Sequence, residues 1–262
     1  MVVLLHGLGS LASEIIYPLG GPLVSSGFQV ISIDRAGYGD NDPAAAEEMG
    51  PAAQAARLGG TLDRLGLTGV VLIAHSAGAA PALHLARGLS SRVAGLVLIS
   101  PFCRPTRPKA ALGLRAATLP MIGGFVRSLF QLAAPLIGRR MVRAALQEGQ
   151  KMPDPRAFSW RKMAKPSAVL AMAAELRGFN ADMIKLRTQL QYVRVPTLVL
   201  LDPLDRVIDS EAHARWLVQR MPTCAVRRCS AGHLIHHFEP MAVLDAAVSI
   251  SVAAQFGMRR IA

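Results

Sequence analysis

The chain has 262 residues, 52% of them hydrophobic, and a formal net charge of +12. That length buries a sizeable core in one domain with room for an inserted subdomain, and the composition excludes disordered and fibrous classes. Cys103, Cys224 and Cys229 are odd in number and form no C-x-x-C pair, which argues against a disulfide framework or a zinc site and for a reducing compartment. No apolar run reaches the roughly 18 residues of a membrane span. No basic region precedes Gly7, so no signal peptide is expected and the cytoplasm is the default location.

The charge is unevenly spread. Residues 102–194 hold 17 Lys and Arg against 4 Asp and Glu, a net of +13; the rest of the chain is near neutral. No nucleic-acid motif accompanies this excess, so nucleic acid is not an expected partner. A solvated basic surface, or a peripheral contact with an anionic membrane, fits it better.

In chain order, Val2–Leu5 reads as a strand and ends in His6-Gly7-Leu8-Gly9. Gln29–Ile33 is a second strand, followed by Asp34-Arg35-Ala36-Gly37-Tyr38-Gly39. A helix is expected over Pro51–Leu65, ended by Gly66. The strand Val70–Ala74 then runs through His75-Ser76-Ala77 into a helix over Gly78–Leu89, which Gly88 would help to end. A serine flanked by small residues between strand and helix is the setting of a nucleophile elbow, G-x-S-x-G, with Ala74 in the first position.

Val93–Ser100 is the next strand. Residues 102–194 contain helical stretches broken by Pro105, Pro108, Pro120, Pro135, Pro153, Pro155 and Pro166, and no clear strand. They read as a helical cap inserted into a core made of 1–101 and 195–262. Gly123–Leu136 is apolar almost all round, so one of its faces is expected to be buried. Strands resume with Thr197–Leu201 and Ala225–Cys229, and helices with Ser210–Arg220 and Pro240–Ala254. Strands alternating with helices imply an α/β fold: a mostly parallel sheet covered by helices on both faces.

A serine hydroxyl needs a base to take its proton and an acid to orient that base. Asp205, after the fifth strand, and His233, after the sixth, are the expected acid and base for Ser76. Asp202 is a rival acid; His236 and His237 are rival bases. His75 adjoins Ser76 but must point away, and His6 is read as a loop anchor rather than a base. Asp209 is placed to cap the next helix. The backbone N–H groups of Ala77 and Leu8 are the expected oxyanion donors.

Together, the His6–Gly9 loop, Asp34–Gly39, the Ser76 elbow and Asp205 with Gly232-His233 resemble the α/β-hydrolase superfamily. The resemblance implies a Ser76-His233-Asp205 triad, a cap at 102–194, and an esterase-like reaction without metal or cofactor. Ser76 speaks against the dehalogenase and epoxide-hydrolase branches, which carry an aspartate nucleophile. The family has Gly where Asp202 stands, so the acid loop carries an extra charge. Its first two strands are missing ahead of Val2, by an upstream start or by loss of an edge hairpin. The expected reaction is hydrolysis of a carboxylic ester, or a similar acyl bond, of a partly hydrophobic small molecule. Amide, thioester and carbon–carbon hydrolysis would use the same residues. A non-hydrolytic binding or biosynthetic accessory role is the alternative.

Overall fold

The computed structural model describes residues 1–41, 49–89, 91–106, 114 and 116–258. The part of the insert at 107–113 and 115, Pro108 included, lies outside the described residues.

Six strands form one sheet: β1 (Val2–Leu5), β2 (Val30–Ile33), β3 (Val70–His75), β4 (Val93–Ile99), β5 (Thr197–Leu201) and β6 (Cys224–Arg228). All neighbouring pairs are parallel and the order is β2-β1-β3-β4-β5-β6. The central strands are buried on both faces, as parallel sheets require. Their side chains alternate between two cores. Val3, Leu5, Leu72, Ala74, Leu96, Leu98, Val199 and Leu201 enter one core, which holds α2 (Pro51–Arg64), α3 (Ala79–Gly88) and α7 (Ser210–Val218). Val2, Leu4, Val71, Ile73, Val97, Ile99, Leu198 and Leu200 enter the other, against α1 (Ala12–Ser25) and α9 (Pro240–Gln255).

The strand order reverses between β1 and β3. Open α/β sheets place their ligands beyond the carboxyl ends of the strands at such a point. Leu5 pairs with Ala74 there, so the chain leaves the ends of β1 and β3 side by side.

One long helix was not read from the sequence. Helix α1 is unmarked in the sequence because Pro18, Gly20, Gly21 and Pro22 fall inside it. Burial of Ile15, Leu19 and Leu23 on the sheet outweighs those breakers. Helix α3 ends at Gly88, as read from the sequence, and Gly66 takes φ +64° just past α2. Asp209 caps α7 by accepting from the Ala212 N–H.

Between β4 and β5 the described residues hold helices only: α4 (Gly123–Ala145), α5 (Trp160–Met163), α6 (Pro166–Arg187) and short 3-10 turns. Helix α6 is fastened to the core by a buried ion pair. Arg35 Nη1 donates to Glu175 Oε1 at 2.5 Å and to Gln54 Oε1 at 2.8 Å, and Tyr38 Oη donates to Glu175 Oε2 at 2.7 Å. Arg35 also donates to the His6 and Gly7 carbonyls. His6 completes this knot. Its Nδ1–H donates to the Gly7 carbonyl and its Nε2 accepts from the Arg35 N–H, so the ring is neutral. Burial, with Arg35 beside it, pushes the His6 pKa down to about 3. Burial and Arg104 lower His213 on α7 to about 4, and its Nδ1 accepts from the Cys103 and Arg104 N–H groups.

Removing one member of a buried pair strands the other charge. Glu175→Ala is therefore expected to lower stability by about 3–5 kcal/mol in denaturant unfolding; a loss under about 1 kcal/mol would show that Arg35 finds another partner. The buried histidines set a pH dependence. The folded protein keeps them neutral while the unfolded chain binds protons below about 6.5, so stability is full above that pH and falls as pH drops towards their folded values. The melting temperature should decline steadily from pH 7 to pH 4, and a flat profile would contradict neutral burial.

Candidate active site

Ser76 directly follows β3 and takes φ +50°, a strained region for a residue with a side chain. The strain lets the chain reverse from strand into helix within one residue. Gly78 permits the close approach this needs: a Cβ there would lie 2.7 Å from the His6 carbonyl oxygen. Gly7 is tight for the same reason, since its Cβ would lie 3.2 Å from Ser76 Cβ. The His6–Gly9 loop and the elbow are thus in mutual contact, with Leu8 following Gly7 and Ala77 following Ser76. Ala74 is fully buried in the core, and its methyl is accommodated there.

The strand ends bring two more groups to this point. His233 Nε2 lies 3.2 Å from Ser76 Oγ, and its Nδ1 lies 2.7 Å from Asp205 Oδ2. A carboxylate on Nδ1 holds the ring proton there and leaves Nε2 to accept the serine hydroxyl. Asp205 is itself held firmly. Its Oδ1 accepts from the Val207 and Ile208 N–H groups and its Oδ2 from Ser210 Oγ. Burial pushes the Asp205 carboxyl up, but His233, Ser210 and the Val207 N–H outweigh it and keep it below the ordinary carboxylate value.

The rivals are placed elsewhere. Asp202 accepts from Leu204 N–H on Oδ1, and from Gly232 N–H and Gln147 Nε2 on Oδ2. It therefore pins the residue before His233 and ties that loop to the insert, where Gly232 also lies against the Ala145 carbonyl. His75 points away from Ser76 Oγ, and its Nε2–H donates to the His233 carbonyl at 3.2 Å. Burial, then the neighbouring His236 and His233, lower its pKa well below 6.5, so it stays neutral. The backbone of His233 is thus gripped on both sides, by Asp202 and by His75.

His236 and His237 turn to Glu14. Both Nε2 atoms lie 2.7 Å from Glu14 Oε1, and Ser10 Oγ donates to Oε2. Burial opposes ionisation of Glu14, but His236 and His237 outweigh it and hold its pKa well below 4.5. Among the described residues this is the one cluster with a metal-ligand donor set. Its distances are those of a carboxylate accepting three hydrogen bonds. The sequence reading missed Glu14, Gln147, Ser210 and His213. Each acts through contacts distant in sequence, except Ser210, whose position five residues after Asp205 resembles an ordinary cap.

All three cysteines are buried, and among the described residues none forms a disulfide. The two cavities described, of about 570 and 560 Å³, are lined by residues of the insert and by Arg206, and neither touches Ser76. No described helix is long and apolar enough to cross a membrane.

A model of the Alpha/beta hydrolase family matches residues 2–246. Among curated proteins the chain is similar to a 2-hydroxy-6-oxo-6-phenylhexa-2,4-dienoate hydrolase of Comamonas testosteroni, with 31% identity over 136 residues; the match spans 51% of this chain and 44% of the relative. The chain thus matches under half the length of that relative. Among solved structures it resembles a thermophilic esterase of Thermogutta terrifontis, at 25% identity and TM-score 0.72, covering 97% of this chain and 89% of that one. It shares its fold with the enol-lactonase of Burkholderia xenovorans LB400, at 19% identity and TM-score 0.71, covering 96% and 90%. With the family matched along nearly its whole length, and hydrolases among its relatives, the chain belongs to the alpha/beta hydrolase family.

Proposed function

We propose that the chain is a serine hydrolase that cleaves a carboxylic ester, or a similar acyl bond, of a partly apolar small molecule. The observation that carries this reading is the unbroken hydrogen-bonded line from Ser76 Oγ through His233 to Asp205 at the carboxyl edge of the sheet.

In this scheme His233 Nε2 takes the Ser76 proton as Oγ attacks the carbonyl carbon. The N–H groups of Leu8 and Ala77 receive the developing oxyanion, and the N-terminus of α3 adds a favourable dipole. Asp205 stabilises the imidazolium, which then protonates the leaving alcohol. Water, deprotonated by the same histidine, releases the acid and restores Ser76. Residues 102–194 act as the cap over this site. Apolar side chains of the insert reach the loops: Met172 lies against Gly9, and Leu8 packs in the insert's own cluster. That lining supports a partly hydrophobic substrate.

A second reading has one specific support, the dienoate-hydrolase names of the curated relatives. A 2-hydroxy-6-oxo-dienoate offers a ketone rather than an ester, and its hydrolysis must break a carbon–carbon bond. p-Nitrophenyl esters of graded acyl length, assayed beside such a dienoate, separate the two. Ester turnover with the dienoate untouched supports the first reading, and the reverse supports the second.

An organophosphonate probe should label the protein at Ser76, with labelling lost in Ser76→Ala. A folded wild-type protein that stays unlabelled would favour a binding or accessory role. Asp205→Asn should lower kcat by about 10^4-fold, because the ring proton is no longer held on Nδ1. Asp202→Asn, which keeps an oxygen for Gly232 N–H, should cost no more than about tenfold. The opposite ranking would reassign the acid.

A further inference from the structure

Helix α4 is apolar on two opposite sides. Val126, Phe130 and Val142 pack against the interior of the insert, and Ala134 on the same side is buried. Across the helix, Phe125, Leu129, Leu132 and Leu136 follow one another at i, i+4, i+7 and i+11. All four are exposed, from 53% at Leu129 to 74% at Phe125. Met121 and Ile122 extend the stripe at its start, with Met121 97% exposed. Single exposed leucines are ordinary, but a stripe along about three turns of one helix is not.

The same side then becomes basic. At 3.6 residues per turn Arg143 lies in line with Phe125, and Arg139 and Arg140 flank that line; all three are exposed. The helix contains four arginines and no acidic residue, within a segment of net charge +13. Arg127 is engaged inward, donating to the Ala117 carbonyl.

We propose that α4 docks on an anionic phospholipid surface, with the apolar stripe at the headgroup–acyl boundary and Arg139, Arg140 and Arg143 on lipid phosphates. Charge complementarity selects this occupant. A second copy seated on the same stripe would form a two-fold contact and bring two strongly basic inserts together, whereas an anionic bilayer answers both the apolar and the cationic parts. The C-terminal end of α4 reaches Gly232, so docking brings the carboxyl edge of the sheet to the membrane side. The proposal stands whatever reaction Ser76 performs.

The test is flotation of the full chain with vesicles of phosphatidylcholine alone and of phosphatidylcholine mixed with phosphatidylglycerol, at roughly 0.1 M salt. Wild type should favour the anionic vesicles by about tenfold or more. L129D/L132D and R139E/R140E should each reduce that binding by about tenfold, while the charge-matched pair K185E/R187E on α6 reduces it by less than about threefold. All four stripe positions are exposed, so melting temperatures should stay near wild type. Equal wild-type binding to both vesicles, or no binding, overturns the proposal. So does an equal loss in K185E/R187E, which would mean general charge attraction. A wild-type dimer that L129D/L132D dissociates, seen by analytical ultracentrifugation, would assign the stripe to a second copy instead.

Discussion

Where β1 and β3 end side by side, the space between the His6–Gly9 loop and the Ser76 elbow admits almost no side-chain volume. Leu5 pairs with Ala74, and two residues further on Gly7 meets the Cβ of Ser76. Gly78 sits so close to the His6 carbonyl that any larger residue would separate α3 from β1. The close approach, the positive φ of Ser76 and the start of α3 form one constraint seen at three positions. The strain at Ser76 persists because the buried sheet on one side and the knot of His6, Arg35 and Glu175 on the other leave the chain no alternative path.

The Asp205–His233 pair depends on a second layer of fixation. Asp205 and His233 lie on loops after different strands, and loops are the mobile part of such a fold. Here the loops are bound to their surroundings. Asp202 holds Gly232, His75 holds the His233 carbonyl, and Ser210 with two backbone N–H groups holds Asp205. Most of these supports are charge-assisted or buried, which makes them stronger than exposed neutral contacts. Asp202 adds negative charge near the histidine, but it directs that charge at the Leu204 and Gly232 N–H groups and at Gln147 rather than at the ring.

Much of this was legible in the sequence because it depends on local pattern. The apolar runs of β1, β3 and β5 are short and bounded, and their following loops carry Gly7, Ser76 and Asp205 at fixed offsets. What was not legible depends on packing. Helix α1 contains two prolines and two adjacent glycines, and only its burial against the sheet makes it a helix. Glu14 carries no local signal in the sequence, and its role follows only once α8 (Ile235–Phe238) brings His236 and His237 onto it. Periodicity shows that the 123–136 part of α4 is apolar almost all round but cannot say which side is covered.

One position decides that last question. Gly138 on α4 faces the Trp160 ring so closely that a Cβ would fall within 2.5 Å of two ring carbons. Only the side of α4 that carries Gly138, beside Ala134, can therefore accept the indole, which is itself stacked on Phe158. Turning the helix half a revolution would set Leu136 against a ring that has no room for it. The insert is further held by Arg35 and Tyr38 on Glu175 and by Asp202 on Gln147, contacts with fixed directions that apolar packing lacks. The outward stripe is thus not a loosely closed lid showing its inner face. Shape at Gly138 and the hydrogen bond from Gln147, just past its end, to Asp202 commit α4 to one orientation, and the exposed leucines are part of the folded state.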